Sequence, residues 1–306
     1  MADALTDILA SVRMEGSIFS RASLGAPWGV ESGELGTGIF HAVVRGRGYV
    51  RLAAGGEPVV LERGDVVLMP FGHNHLMTSA PDEPTRMISD LTTVDDQGMG
   101  HLVVEGDGAH TSLICGTVTF DQGVAHPLFS SLPALIRVRD EDGTMSRVVE
   151  SLVSLIAAEV DGHVPGSETV VGRLTDVLVI YVLRDYISRL PADAVGWLGA
   201  LRDGEMRAAL DLMHARPDRA WTAGELAAAV GVSRSVFFAR FKGLVGESPG
   251  QYLTRWRIHL ATRLLQDESA SVATVARRLG YATDSAFSNA FVRVMGIRPG
   301  AFRKAA

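Results

Sequence analysis

The sequence is poor in cysteine, in aromatic residues and in long apolar runs. Cys115 is the only cysteine among 306 residues, which excludes a disulfide within one chain and is typical of a reducing compartment. No run of about 18 apolar residues occurs, and the first residues are acidic, without the basic segment and apolar core of a signal peptide. These absences argue against secretion and membrane spanning, so we expect a cytoplasmic protein with no membrane partner.

Charge is divided unevenly along the chain, although the formal net charge is only −6. Residues 1–200 carry 13 basic and 26 acidic side chains, whereas residues 201–306 carry 16 basic and 9 acidic ones. Because 306 residues exceed what one hydrophobic core usually organises, we expect two or three domains. An acidic body followed by a basic domain places any binding to a polyanion in the C-terminal part.

One pattern of glycine, hydroxyl, phenylalanine and proline residues occurs twice near the C-terminus, over residues 226–252 and 275–302. Each copy predicts a short apolar helix, a glycine turn, a capping Ser or Thr and a second helix with two Phe residues four positions apart. Two ordinary helical hairpins would be the alternative, but the matched positions favour two helix-turn-helix units. The matched pairs are Gly231 and Gly280, Phe237 and Phe287, Phe241 and Phe291, Gly246 and Gly296, and Pro249 and Pro299.

The N-terminal part consists of short apolar runs separated by Gly, Pro and Asp, with almost no helical periodicity. Such regular spacing predicts a small antiparallel barrel or sandwich. The predicted strands cover residues 40–44, 48–52, 58–61, 65–69 and 112–120.

Helical periodicity replaces the strand pattern in the middle of the chain. An amphipathic helix is predicted over 147–160, followed by a longer one over 169–187 that is apolar on more than one face. The second helix needs partners on several sides, so it packs on the barrel, forms a dimer seam, or does both. Residues 191–199 are predicted to be a linker. Pro249 starts a long helix, to about Gln266, that separates the two helix-turn-helix units.

The segment from Gly64 to His75 has a glycine, five residues and then Pro-x-Gly-x-x-His. It resembles the second motif of the cupin barrels, and His41 lies where their first motif would begin. The resemblance implies a cupin fold for the strand-rich region. Metal-dependent cupins carry His-x-His and Glu in the first motif, whereas only His41 is present here, which puts a metal in doubt.

The histidines of this region have three open interpretations. His41 and His75 could ligate a divalent metal ion, since neutral imidazole suits Zn, Cu, Ni or Fe. They could instead hydrogen-bond an effector, or be buried or surface histidines without a ligand. A stable metal site needs three or four ligands, so no cofactor is assigned with certainty. The candidate effector pocket comprises His41, Phe71, His73, His75 and Cys115.

Residues 221–304 resemble the AraC-type DNA-binding domain over essentially its whole length. The matching motifs include Ser233-Arg-Ser, Gly246-Glu-Ser-Pro249, Arg255-Trp-Arg257, Gly280-Tyr281 and Pro299-Gly-Ala-Phe302. The front half resembles the cupin sensor domains fused to that module, and Leu113-Ile-Cys115-Gly is similar to a subgroup that responds to reactive chlorine. The resemblance implies promoter DNA and a small-molecule effector as partners, and RNA polymerase if the protein is an activator. A homodimer stays open, as an alternative to packing of the apolar helix over 169–187 within one chain.

The same resemblance implies which side chains meet DNA. Val236, Phe237 and Phe241 are expected to face the core of the first unit. Two recognition helices on a stiff connector should enter successive major-groove segments, about 34 Å apart. The positions that read bases in the family correspond to Ser235, Phe238 and Ala239 in the first unit and to Ser285, Ser288 and Asn289 in the second. The candidate phosphate contacts are Arg234, Arg240, Lys242, Arg255, Arg257, Arg293 and Arg303.

Cys115 lies in an apolar strand with no basic residue nearby in sequence to lower its pKa. A small buried core residue is the favoured interpretation. A redox role is the alternative. The related chlorine-responsive regulator has a second cysteine near its N-terminus, but residues 20–25 contain none, so a disulfide could form only between subunits.

Together these features predict a multidomain α+β protein with a cupin-like β-barrel sensor over 1–140, a helical linker or dimerisation region over 141–200, and an all-α double helix-turn-helix domain over 201–306. The predicted function is that of a sequence-specific transcription regulator, not an enzyme, whose barrel senses a small molecule or redox signal. The alternative is a metal-dependent cupin enzyme fused to a DNA-binding module. A non-specific DNA-binding protein is disfavoured, because an acidic body would repel DNA.

Overall fold

The chain divides into two compact units in the computed structural model. One unit comprises residues 14–120 and 133–188, and the other comprises residues 1–13, 121–132 and 189–306. The structure describes residues 4–11, 14–96, 99–120, 131–139, 144–162, 164–191, 194–266 and 270–305. The predicted domain boundary between residues 140 and 141 lies outside these. No helix in the described part of the chain is long and apolar enough to cross a membrane.

The first unit contains two β-sheets, as the strand pattern predicted. The seven-stranded sheet has the order β12-β6-β3-β11-β1-β10-β9, and the five-stranded sheet has the order β5-β4-β7-β2-β8. All neighbours are antiparallel except β1 with β10 and β2 with β8. The strands are β1 (Met14–Gly25), β2 (Gly29–Glu31), β3 (Gly38–Arg45), β4 (Arg47–Leu52), β5 (Val59–Glu62), β6 (Val66–Met69), β7 (His75–Thr78), β8 (Arg86–Met87), β9 (Thr92–Val94), β10 (Gly100–Val104), β11 (His110–Phe120) and β12 (Ile136–Val138).

The core of this unit lies between the two sheets. Val43 and Leu113 from the larger sheet and Val50, Leu61 and Met77 from the smaller sheet belong to one buried cluster. The cluster forms because side chains alternate between the two faces of a strand, so that each sheet presents one apolar face. We refer to this pair of sheets as the barrel.

The described residues of this unit also contain two α-helices, α2 (Thr144–Gly162) and α3 (Ser167–Arg189). The helix α2 buries Val149, Val153 and Ile156 and packs against β3. The helix α3 buries a stripe that includes Leu178 and Val182, while other apolar residues stay exposed on its opposite side. Both predicted helices are therefore confirmed, and α3 has an apolar surface beyond the one that it buries.

The second unit is helical in its described residues. Its helices are α1 (Ala4–Ser11), α4 (Trp197–Arg202), α5 (Gly204–Ala215), α6 (Ala223–Ala229), α7 (Arg234–Val245), α8 (Pro249–Gln266), α9 (Val272–Arg278), α10 (Asp284–Met295) and α11 (Pro299–Ala305). The pairs α6/α7 and α9/α10 are the two predicted helix-turn-helix units, and α8 connects them.

The predicted linker at residues 191–199 is wrong in its C-terminal part. There α4 begins at Trp197, which is fully buried. The indole Nε1–H of Trp197 donates to the hydroxyl of Tyr252 at 3.0 Å, and His214 Nε2 lies 2.6 Å from the same oxygen. The glycines and proline of this stretch suggested a linker, but a buried aromatic partner on α8 decides the structure.

Candidate functional site

The recognition helices α7 and α10 begin and end in the same way. Ser233 Oγ accepts the backbone N–H of Val236 at 3.4 Å, and Thr283 Oγ1 accepts that of Ala286 at 3.1 Å. Each hydroxyl satisfies one of the unpaired N–H groups at a helix start. Both helices end at a glycine with positive φ, which favours glycine because it has no Cβ. These glycines are Gly246 (φ 83°) and Gly296 (φ 73°).

The buried faces of α7 and α10 also match. The rings of Phe237 and Phe241 lie 5.6 Å apart and those of Phe287 and Phe291 lie 5.7 Å apart, all fully buried. The expectation that Val236 also faces the core is wrong, because its side chain is 46% exposed. Successive residues are about 100° apart around a helix, so Val236 lies off the stripe that the phenylalanines define.

The predicted base-reading residues lie on the opposite, outward faces. Ser235, Phe238 and Ala239 are exposed on α7, and Phe238 is 42% exposed despite its large apolar ring. Ser285 and Asn289 are exposed on α10, and Ser288 is half-buried. The structure therefore brings each group of three onto one helix face.

Four of the predicted phosphate contacts are exposed cations. Arg234 and Lys242 lie at the two ends of α7, Arg293 lies near the end of α10, and Arg303 lies on α11. Arg234, Lys242 and Arg293 lie on the recognition helices themselves, where they fit contacts to a backbone on either side of a groove.

Two other arginines of the predicted set form ion pairs within the protein. Arg240 bonds both Asp203 and Glu205, and Arg255 bonds Glu247. Asp203 also caps α5 through its side chain. Sequence spacing gave no sign of these pairs, since the Arg240 partners lie 35 and 37 positions away.

Arg257 is directed towards backbone carbonyls. Its Nε donates to Pro217 O at 2.5 Å, and its Nη2 donates to Arg219 O at 3.0 Å. Burial lowers the pKa of Arg257, and the side chain is half-buried. Three predicted phosphate contacts are thus engaged elsewhere in this structure.

A second candidate site lies in the barrel, where His41, His75 and Cys115 are all buried. His41 and Cys115 are paired residues of adjacent strands β3 and β11. His41 Nδ1 lies 2.8 Å from Cys115 Sγ, and His41 Nε2 lies 2.7 Å from His75 Nε2. His75 Nδ1 in turn lies 2.9 Å from both the Ser32 hydroxyl and the His73 carbonyl oxygen. Together these polar groups form one continuous chain, which we call the relay.

The relay has one proton order that satisfies every member. The His73 carbonyl can only accept, so His75 Nδ1 must carry a proton and His75 Nε2 accepts from His41. With its proton on Nε2, neutral His41 accepts at Nδ1 from the Cys115 thiol. This assignment follows from hydrogen-bonding capacity. Sequence reasoning missed Ser32, which lies just after β2 in a stretch without a recognised motif.

Burial keeps the relay uncharged. Desolvation, assisted by the neighbouring His75, lowers the pKa of His41 well below its usual 6.5. Desolvation also lowers the pKa of His75, against an opposing effect of the His73 carbonyl. Desolvation raises the pKa of Cys115 to about 12. All three side chains are therefore neutral near pH 7.

The histidine pair does not fit a shared metal ion in this arrangement. Two nitrogens bound to one tetrahedral zinc would lie about 3.3 Å apart, whereas the His41 and His75 Nε2 atoms lie 2.7 Å apart. Among the described residues there is also no group of three or more His, Cys, Asp or Glu side chains placed to hold a metal. A metal at His41 and His75 stays a prediction that metal analysis of the purified protein would test.

His73 and Phe71 lie beside the relay in sequence, but their side chains are not part of it. Both side chains are half-buried, and their rings lie 5.8 Å apart. His73 contributes only its backbone carbonyl to the relay. The predicted effector pocket is therefore split between a buried trio and a more accessible pair.

Comparison with known proteins covers both parts of the chain. Residues 3–188 match a family model described as Cupin, and residues 226–305 match one described as Helix-turn-helix domain. A putative AraC-like transcription regulator from Streptomyces antibioticus is 33% identical over 303 residues, which cover 99% of this chain and 98% of that protein. The HTH-type transcriptional regulator AlkR of Acinetobacter baylyi is 27% identical over 305 residues, covering 99% of each. The RCS-specific HTH-type transcriptional activator RclR of Escherichia coli is 25% identical over 305 residues, covering 99% of this chain and 97% of that protein.

Proposed function

The chain belongs to the AraC-like transcription regulators, and from that membership we propose that α7 and α10 read two successive major-groove segments of a promoter. The observation that carries this proposal is the repeated geometry of the two helices. Each has the same cap, the same buried phenylalanine pair and the same outward positions. A major groove accepts one helix, and the next accessible groove on the same face lies one turn away.

The outward side chains suit different base edges. Asn289 can pair with N6 and N7 of adenine, and Ser285 can bond several bases. The first helix offers Phe238 and Ala239, which suit contact with a thymine methyl group. We therefore expect the box read by α10 to be more sharply specified than the box read by α7. The exposed cations Arg234, Lys242, Arg293 and Arg303 would hold the phosphates and set the register.

The barrel is proposed to control this binding by responding to a small molecule or redox signal. An effector changes DNA affinity only if it binds two conformations of the protein unequally. The half-buried Phe71 and His73 and the buried relay are the groups offered to such a ligand. If the protein activates transcription, RNA polymerase is a further partner. We expect the protein to act in the cytoplasm, where its promoter lies.

We propose no catalytic role for the barrel. The three relatives compared with this chain are named as transcription regulators. Of the acidic and histidine ligands of the first cupin motif only His41 is present. Stoichiometric iron or nickel in protein purified without chelator, lost on replacing His41 and His75, would instead favour the enzyme.

A homodimer is proposed through the outer face of α3. Val170 and Val177 are exposed, and Leu174 and Tyr181 are half-buried, at the i, i+4, i+7, i+11 spacing of a coiled-coil seam. Glu168 lies in the first turn of the helix and Arg189 is its last residue, so antiparallel copies would place opposite charges together. Val177→Glu should shift the sedimentation coefficient to that of a monomer. Val195→Glu, at another exposed valine, is the control that should not.

The function is tested by selection from random duplex DNA with the full chain. The expected result is an enriched site with two boxes about one helical turn apart, roughly 10 to 10.5 base pairs from centre to centre. Affinity for that site should fall steeply with salt, since phosphate contacts release counterions. Enrichment of no sequence, or of a single box that α10 variants do not affect, would contradict the proposal.

A further inference from the structure

The connection between α5 and α6, residues 216–221, is fixed to the first helix-turn-helix unit. Arg219 bonds Glu225 of α6 at 2.9 Å, and its guanidinium lies 4.0 Å from the centre of the Trp221 ring. The Trp221 indole N–H donates to Arg216 O at 3.1 Å. Glu225 also closes the capping box with Thr222. This segment, here called the bridging loop, therefore moves with α6.

The connecting helix α8 holds the bridging loop through Arg257. The guanidinium donates to Pro217 O at 2.5 Å, to Arg219 O at 3.0 Å and to Asp218 O at 3.3 Å. It also lies 5.4 Å from the centre of the Tyr281 ring, in the turn of the second unit. Arg257 thus contacts the bridging loop on one side and the second helix-turn-helix unit on the other.

The second helix-turn-helix unit touches the bridging loop directly at Gly280. Its φ of +77° is the left-handed conformation that favours glycine. A Cβ built at this position would lie 1.9 Å from the carbonyl oxygen of Asp218. No side chain fits there unless the bridging loop moves away, so the turn of the second unit and the loop are in backbone contact.

These contacts supply something that α8 alone does not. The eighteen residues of α8 span about 27 Å. This length sets the separation of the two helix-turn-helix units along the α8 axis. The second helix-turn-helix unit packs its core on α8 through Ile258, Ala261 and Leu265, and a contact away from the α8 axis adds a further restraint on its rotation relative to the first. The bridging loop is such a contact, because it links α6 to the turn between α9 and α10.

We propose that Arg257 is a positioning residue that fixes the rotation of the second recognition helix relative to the first, and so determines the spacing between the two DNA boxes. The inference rests on the proposed reading of two boxes. Adding one base pair between boxes rotates one of them by about 35° around the duplex axis. If the bridging loop holds the two helix-turn-helix units rigidly, the protein binds the altered duplex poorly. If the loop contact is loosened, both recognition helices can still reach their boxes. Arg257 has this effect through the loop carbonyls and binds no phosphate.

The test uses duplexes that carry the two boxes enriched by the wild-type full chain, at the selected spacing and with one or two base pairs added or removed. Wild-type affinity should fall about tenfold or more at wrong spacings, as expected when the base contacts of one box are lost. Arg257→Met, which keeps the chain length and removes the donors, should reduce that ratio to about threefold or less. The slope of log affinity against log salt should stay at the wild-type value, because no phosphate contact is removed.

Arg234→Met is the matched control, since it removes an exposed arginine. It should reduce the magnitude of the slope of log affinity against log salt by about 0.9. The ratio of affinities between the selected and the wrong spacings should stay unchanged. If Arg257→Met behaves like this control, or keeps the wild-type spacing ratio, the inference is wrong. Far-ultraviolet circular dichroism checks that the variant is folded. If Arg257→Met is unfolded, Arg257→Lys and Gly280→Ala take its place. An unchanged ratio of affinities between the selected and the wrong spacings in both variants overturns the inference. Failure of the wild-type chain to enrich paired boxes would instead overturn the proposed function.

Discussion

His41 donates a hydrogen bond from Nε2 to Nε2 of His75 across 2.7 Å in the interior of the barrel. The direction is set at the far end of the relay, where the carbonyl of His73 can only accept. Every proton of the relay is thereby placed, from the Cys115 thiol to the backbone. A proton added at His75 Nε2 would set two N–H groups against each other, and a proton added to either ring would introduce a buried charge.

The barrel should lose stability as the pH falls from about 7. The pKa values of His41 and His75 are lowered in the folded protein, while both would titrate near 6.5 when unfolded. The unfolded state therefore binds more protons below about pH 6.5, and the free energy of unfolding falls by up to about 1.4 kcal/mol per pH unit for each histidine. The loss ends below the folded pKa of each group. Urea unfolding at a series of pH values from about 8 down to about 5 measures it.

The matched control for this experiment is His73→Gln. Its backbone carbonyl stays in the relay, so the variant should keep the wild-type pH dependence. The double variant His41→Gln and His75→Gln should flatten it. An equal slope in the double variant and in wild type would show that other groups cause the pH dependence.

The thiol of Cys115 should act as a donor to His41. Serine keeps an O–H donor at this position, whereas alanine leaves His41 Nδ1 buried without one, which costs about 1–3 kcal/mol beyond the lost volume. Cys115→Ser should therefore be more stable than Cys115→Ala in urea unfolding. If alanine were as stable as serine, the thiol would not be the donor and the proton order would be wrong.

Cys115 should also react slowly with alkylating agents in the folded protein. Burial raises the pKa of its thiol to about 12, so almost no thiolate is present near neutral pH. Iodoacetamide at about pH 8 should label the protein in urea within minutes and the native protein far more slowly. Labelling at equal rates would favour a reactive cysteine and revive the redox interpretation. A regulatory response to oxidant that disappears in Cys115→Ser would do the same.

Asn289 should contribute to base specificity. Asn289→Ala should cost about 1–3 kcal/mol at the selected site and relax the preference at one base pair, since it removes a bidentate contact. Arg303→Ala is the comparison, because loss of a phosphate contact should weaken binding to all sequences alike. Binding assays on the selected site and on its single-base variants measure both effects. Equal weakening of Asn289→Ala on random DNA would count against a base-reading role.

Arg234 and Arg240 should differ although both lie on α7. Arg240 is bound by Asp203 and Glu205, whereas Arg234 is exposed at the helix start. Arg234→Gln should lower the salt slope of DNA binding by about 0.9. Arg240→Gln should leave the slope near the wild-type value and lower the stability of the helical unit. A fall in slope for both variants would mean that Arg240 leaves its carboxylates to bind phosphate.

The elements of the fold were largely predictable because their signals are local. Capping residues, Phe pairs four positions apart and glycine ends are enough to identify both helix-turn-helix units in the sequence. Strand alternation and turn residues identify the barrel in the same way. Trp197 shows where local signals fail, because its neighbours suggest a linker while its indole finds a partner 55 positions away in Tyr252.

The site was predicted in its residue types but not in its connections. His41, His75 and Cys115 were each singled out, but their contacts depend on the pairing of β3 with β11, which joins residues 74 positions apart, and on the packing of the two sheets, which joins residues 34 positions apart. The same holds for Arg257, whose charge suggests a phosphate contact and whose partners are carbonyls 38 to 40 positions earlier. Side-chain chemistry can be inferred from sequence, but long-range pairing decides how it is used.

The shared caps and glycine ends of α7 and α10 make the two helices interchangeable as scaffolds. The caps, phenylalanine pairs and glycine ends that hold the helices do not include Ala239 in one or Ser285 and Asn289 in the other, and all three lie exposed on the outward faces. Ser235 is also exposed, but its hydroxyl lies 3.3 Å from that of the capping Ser233. Transplanting the outward residues of one helix onto the other should therefore rewrite one half of a promoter site and leave the other half as it was. A regulator built this way can acquire new target genes by changes in one half at a time.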